Sequence, residues 1–161
     1  MVEILVCAKS EVIKNIKVFN PSFIISTLDI GDKIFIPPQF NKQNHLMLNF
    51  DDEDDKNNSF SPKLHHAQRI LSFADRFNDN DKILVHCFAG ISRSTAVALA
   101  IFIKNNRNFE EAENFILNAR KFPFPNLLLA EHFDNLLNCH GQFIELCERI
   151  NDISFAAKHL S

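Results

Sequence analysis

Two rhythms of apolar and polar positions run along this chain. In the first half the apolar residues come in short bursts bounded by turn formers: Val2–Cys7, Phe23–Thr27, Lys33–Ile36 and His45–Phe50. Bursts of this length, rich in β-branched and aromatic residues, predict strands. Asp29, Gly31 and Asp32 mark a turn after the second burst, and Pro37 and Pro38 stop the third. Ser10–Val18 predicts a brief helix. A polar loop follows the fourth burst, in which Asp51, Asp52, Glu53, Asp54 and Asp55 stand in a row.

The second rhythm is helical. Ser61-Pro62 combines an N-cap residue with a proline at the first helical position, predicting a helix from about Pro62 to Phe77. Its apolar face carries Leu64, Ala67, Ile70, Leu71, Ala74 and Phe77. Ile83–Val85 then predicts a buried strand, and Ser94–Ile103, apolar on nearly every side, a buried helix. Further helices are expected over Phe109–Lys121, Leu127–Asn138 and Gly141 to about Ile153. Strands first and helices later, with no repeat or linker, predict one α/β domain over residues 1–161. Its expected core is a mixed sheet with helices on both faces.

Composition narrows the range of functions. Hydrophobic residues at 46% and charged residues at 23% fit an ordinary globular fold. A net charge of −3 speaks against a general nucleic-acid or anionic-membrane binder. No apolar window approaches a membrane span and the first residues are too short for a secretory signal, so a cytoplasmic protein without membrane insertion is expected. Cys7, Cys87, Cys139 and Cys147 are scattered without a CxxC pair, which argues for reduced thiols and against a zinc site or disulfide framework. His65-His66 and the other histidines read as surface residues, and no metal or other cofactor is implied.

The candidate chemistry lies between the buried strand and the buried helix, in His86-Cys87-Phe88-Ala89-Gly90-Ile91-Ser92-Arg93-Ser94. A loop in that place gathers backbone N–H groups at one point, and the next helix aims its N-terminal dipole there. The loop from Phe88 to Arg93 is therefore an anion cradle. Gly90, one of only three glycines, suits the positive φ that such a curl requires. Arg93 offers a planar fork for two phosphate oxygens. The same donors stabilise a thiolate on Cys87, beneath the bound phosphorus, where it acts as the nucleophile.

These residues resemble the His-Cys-x-x-Gly-x-x-Arg-Ser/Thr motif of the protein tyrosine phosphatase superfamily, in its compact dual-specificity form, with every fixed position filled. The resemblance implies metal-free, two-step hydrolysis of a phosphorylated protein or small phosphate ester through a phosphocysteine. It implies an aspartic acid as general acid and base on a loop upstream of the cysteine. Asp52, thirty-five residues before Cys87 and following Phe50, fits that place, with Asp51 and Asp54 as the other choices. Ser94 carries over as the hydroxyl on the sulfur, His86 as a support beneath the loop, and Asn126 as a brace of the active-site loops.

Uncharged Phe88, Ala89, Ile91 and Ser92 favour a singly phosphorylated substrate. Cys7 reads either as a small buried hydrophobe or as an oxidative partner of Cys87. Two other activities stay open: a phosphate-binding pseudophosphatase, and a rhodanese-like sulfurtransferase built on the same loop.

Overall fold

The computed structural model describes residues 1–160. Strands β1 (Glu3–Ala8), β2 (Phe23–Leu28), β3 (His45–Asn49) and β4 (Lys82–Cys87) form one sheet in the order β1-β4-β2-β3. Helices α1 (Val12–Phe19), α2 (Leu64–Ala74), α3 (Arg93–Asn106), α4 (Phe109–Ala119), α5 (Leu127–Leu136) and α6 (Gln142–Leu160) surround it.

Alternation along the strands sorts their side chains between two layers. Val6, Ile25, Ile83 and Val85 join the larger core with α2 and the helices after it, whereas Cys7, Ile24 and Leu84 meet Val12 and Phe19 of α1 on the other face. Helix α3 lies at the centre of the larger layer, with every residue from Arg93 to Ile103 buried.

The expected α/β class with helices on both faces is present, but each of the three strand pairings is parallel rather than mixed. The reason lies in the connections: each strand returns to the sheet by a crossover long enough to carry a helix or a wide loop. The expected strand Lys33–Ile36 does not join the sheet. Ile34 and Ile36 instead pack with Phe40 over the α1-side cluster, and a segment laid on the face of a sheet cannot also pair at its edge.

Helix α2 begins at Leu64, with Lys63 as its N-cap. Ser61 is turned back into the preceding loop, where its Oγ donates to the Asn58 carbonyl at 2.7 Å, so it is not free to cap. The helix ends at Ala74, yet Phe77 still packs on Phe23 at 4.8 Å between ring centroids. Helix α4 stops at Ala119, because Arg120 is extended and leads into the 120–126 segment, and α6 continues past Ile153 to Leu160.

A parallel sheet delivers the carboxyl ends of its strands to one edge, the usual place for a ligand site in this architecture. Asp29 follows β2, Phe50 and Asp52 follow β3, and the cysteine loop follows β4. Residues far apart in sequence are thereby collected.

Candidate active site

The loop after β4 curls back over the end of β1. Lys9 N–H donates to the Phe88 carbonyl at 3.0 Å, and Arg120 Nη2 donates to the Ala89 carbonyl at 3.2 Å. Gly90 has φ +72° and presses so closely on β1 that a Cβ there would lie 2.6 Å from the Cys7 carbonyl carbon. No other residue fits, for reasons of both conformation and space. Phe88 and Ala89 sit exposed at the rim, Ile91 and Ser92 are half-buried, and Arg93 and Ser94 are buried.

Cys87 is buried, and its Sγ accepts the Gly90 backbone N–H at 3.2 Å. Ser94 Oγ lies 3.1 Å from the same sulfur. One N–H of the loop and one hydroxyl from the first turn of α3 therefore meet at the same sulfur.

Arg93 is held from the ends of β2 and β3. Its Nη1 donates to Asp29 Oδ1 at 2.6 Å and to the Phe50 carbonyl at 2.8 Å. Its buried Nε has no partner among the described residues, an unusual condition for a buried donor.

The carboxylates of the acidic run point to different places. Asp52 Oδ1 accepts from Ser92 Oγ at 2.7 Å and from Asn126 Nδ2 at 2.9 Å, so it lies directly against the cysteine loop. Asp51 turns the other way and accepts the Ile30 N–H at 3.2 Å. Asp54 accepts the Leu127 N–H at 3.1 Å, at the start of α5. Asn126 serves twice, since its Oδ1 caps α5 at Leu129 N–H while its amide nitrogen reaches Asp52.

Beneath the loop, His86 takes part in a buried hydrogen-bond chain whose direction can be deduced. Its Nδ1 lies 3.2 Å from the Cys87 carbonyl, which can only accept, so Nδ1 carries the proton. Nε2, 2.6 Å from Ser26 Oγ, then accepts the serine hydroxyl. Ser26 in turn receives Nε2–H of His45 at 2.8 Å. Burial pushes the His86 ring down to about 4, so it is neutral in this arrangement.

Ser26→Ala is expected to strand the His86 acceptor and destabilise the fold by about 1–3 kcal/mol. Nitrogen chemical shifts of His86 at neutral pH check the direction, and a proton on Nε2 in the unaltered protein would refute it. The ring also sets an acid limit, because a free histidine titrates at 6.5 and the folded one near 4. The stability it contributes is complete above 6.5 and lost as pH falls through 4.

Cys7 lies on the α1 face, where burial pushes its thiol up to about 11 and keeps it protonated at neutral pH. Among the described residues no cluster of three or more His, Cys, Asp or Glu side chains is arranged to hold a metal ion, and no helix is long and apolar enough to cross a membrane. Asp29, Ser26, His45 and Arg120 have no motif around them. Only the end-of-strand position of Asp29, in a turn with Gly31, hinted at a place near the site.

The family model for the dual specificity phosphatase catalytic domain matches residues 7–138. The tyrosine-protein phosphatase yvh1 of Schizosaccharomyces pombe is 32% identical over 121 residues, 74% of this chain and 34% of that protein. A putative tyrosine phosphatase, 123R, of invertebrate iridescent virus 6 is 34% identical over 100 residues, 59% of this chain and 67% of the viral protein. The chain thus spans about a third of the yeast relative's length and about two thirds of the viral one's. Among solved structures, DUSP15 superposes with a TM-score of 0.63 at 16% identity, covering 92% of this chain and 90% of that one, a likeness of fold.

Proposed function

The chain belongs to the dual specificity phosphatase catalytic-domain family, and on that premise we propose that it hydrolyses phosphomonoesters through a phosphocysteine, with Cys87 as nucleophile and Asp52 as general acid and base. The observation that carries this reading is the convergence on Cys87 Sγ of the Gly90 N–H and the Ser94 hydroxyl, next to an arginine with a buried donor still unpaired.

A phosphate dianion on the loop N–H groups of Phe88 to Arg93 satisfies that Nε and places phosphorus above the sulfur. The Cys87 thiolate attacks, the sulfur–phosphorus bond forms, and the phosphorus–oxygen bond to the leaving group breaks. Asp52 gives its proton to the departing oxygen. The resulting carboxylate then takes a proton from water, whose oxygen attacks phosphorus and releases inorganic phosphate. The sulfur leaves as a thiolate, and Ser94 Oγ–H donates to the charge that returns to it. His86 fixes the loop from below and Asn126 fixes Asp52, and neither touches substrate.

The whole of residues 1–161 acts in this reading as one catalytic domain. A phosphorylated protein or a small phosphate ester fits a loop whose side chains add no cation besides Arg93. Four unpaired thiols suit a reducing compartment such as the cytoplasm.

Hydrolysis of para-nitrophenyl phosphate in the presence of chelator tests the reading. Ser94→Ala is expected to slow breakdown of the phosphocysteine on the order of a hundredfold, the usual cost of one lost donor to a developing anion. Acid-quenched protein would then carry phosphate on Cys87, seen by mass spectrometry as a burst with slow turnover. Phosphate binding without turnover in the unaltered protein would leave a pseudophosphatase. Thiosulfate-to-cyanide sulfur transfer without phosphatase activity would leave a rhodanese-like enzyme.

A further inference from the structure

A loop that turns its N–H groups inward to meet an anion turns its carbonyls outward, and those need partners elsewhere. The Phe88 carbonyl accepts the Lys9 N–H at 3.0 Å, that of Ile91 the Phe124 N–H at 2.9 Å, and that of Ser92 the Asn126 N–H at 3.2 Å. These partners are backbone amides. The Ala89 carbonyl is met instead by a cation, Arg120 Nη2, at 3.2 Å.

That carbonyl shares one planar peptide group with the Gly90 N–H, and in a trans peptide the two point in opposite directions. The Gly90 N–H donates to Cys87 Sγ at 3.2 Å. A guanidinium therefore stands at one end of a single peptide dipole, with the sulfur at the other. A charge-assisted bond to the carbonyl holds the plane in this orientation, and hydrogen bonds in a chain polarise one another, so the N–H becomes a stronger donor.

Arg120 is itself fixed. The backbone is extended there, just beyond the last turn of α4, and the side chain is only 21% exposed. Its Nη1 donates to Glu11 Oε1 at 3.2 Å, and the same oxygen accepts the Ala8 N–H at 2.8 Å. The Ala8 N–H, and with it Arg120, holds the Glu11 carboxyl below its ordinary range, so it is charged at neutral pH. Ala8 ends β1, the strand on which Gly90 is packed, so one carboxylate ties the arginine to the strand beneath the loop.

We infer that Arg120 is a positioning residue of the active site: through the Ala89–Gly90 peptide group it aims and polarises the N–H that stabilises negative charge on Cys87 Sγ, with Glu11 holding it in place. This rests on the phosphatase reading of the loop. In that reading the charge returns to sulfur when the phosphocysteine breaks down. The water oxygen bonds to phosphorus, its proton passes to Asp52, and the electron pair of the sulfur–phosphorus bond stays on sulfur. Loss of Arg120 should slow this second step.

Ala89-Gly90 is the one Ala-Gly pair in the sequence. Protein labelled at its alanine carbonyl carbons and glycine nitrogens therefore gives a single carbonyl–amide correlation by NMR, from this peptide group alone. In Arg120→Met the Ala89 carbonyl carbon and the Gly90 amide proton are both expected to move upfield. Turnover of para-nitrophenyl phosphate after the burst should fall on the order of tenfold, less than for loss of a direct donor, because the N–H itself remains. Glu11→Gln keeps an acceptor for Ala8 and Arg120 but removes the opposing charge, so both resonances should move downfield. A merely structural role would not move the same two nuclei in opposite senses.

Resonances at their unaltered positions in either variant would overturn the inference. So would a shifted correlation in Arg120→Met with post-burst turnover at the unaltered rate. If Arg120→Met fails to fold, the direction of the shift in Glu11→Gln decides alone, and an upfield shift there overturns the inference. Failure of the unaltered protein to hydrolyse para-nitrophenyl phosphate would instead overturn the phosphatase reading itself.

Discussion

Cys87→Ser is expected to reduce hydrolysis of para-nitrophenyl phosphate by about 10⁵- to 10⁶-fold, the scale seen when a nucleophile is removed from a catalytic unit. The substitution is nearly isosteric, and the Gly90 N–H and Ser94 hydroxyl that meet the sulfur are able to meet an oxygen in its place. Tungstate or phosphate should therefore bind the variant within a few-fold of the unaltered protein, with a similar melting temperature.

The loss falls on chemistry because a serine hydroxyl needs a base, and none is in place. The His86 ring is engaged by the Cys87 carbonyl on one side and by Ser26 on the other, so neither nitrogen is directed at the nucleophile. Hydrolysis by Cys87→Ser at the unaltered rate would end the phosphocysteine mechanism.

Asp52→Ala is expected to lower kcat by about 10²- to 10⁴-fold on substrates with poor leaving groups, such as alkyl phosphates, the usual range for a lost general acid. The effect should be smaller on para-nitrophenyl phosphate, whose leaving oxygen needs less help. The ratio of the two losses is the diagnostic, because removing a proton donor steepens the dependence of kcat on the basicity of the leaving group.

Two neighbouring carboxylates serve as controls. Asp54→Ala removes the acceptor of the Leu127 N–H at the start of α5, and should cost about 0.5–2 kcal/mol of stability with the leaving-group dependence unchanged. Asp51→Ala should disturb only the turn at Ile30. If Asp54→Ala steepened the leaving-group dependence and Asp52→Ala did not, Asp52 would not be the acid.

Much of this protein was legible because its local patterns are strong. The apolar run from Ser94 to Ile103 is longer than an ordinary strand and reads as a helix buried on all sides, and that is where α3 lies. Boundaries were less legible. Ser61-Pro62 has the form of a helix start, yet a tertiary contact with the Asn58 carbonyl recruits the serine elsewhere. Lys33–Ile36 has strand propensity, but whether a segment pairs at a sheet edge or lies on its face depends on where the edge is, and no short window contains that information.

The site divides in the same way. Cys87, Gly90, Arg93 and Ser94 stand close together in sequence, and one strand–loop–helix unit brings their atoms together, so spacing alone was enough to single them out. Asp52 is different. Its row of five carboxylates offers the same chemistry at each position, and the direction in which each points is set by partners that lie far along the chain. Asp51 goes to Ile30, Asp54 to Leu127, and Asp52 to Ser92 and Asn126.

Asp29 reaches Arg93 from 64 residues away, and Ser26 reaches His86 from 60, because parallel strands deposit their ends at one edge. By itself, then, the sequence marked Cys87, Gly90, Arg93 and Ser94 as one local unit and carried the pattern of the family. Only the tertiary structure decided which carboxylate lies against the loop and what orients the arginine and the histidine. Local spacing determines contacts within one turn, whereas contacts between layers are determined by the register of the sheet and the packing on its faces.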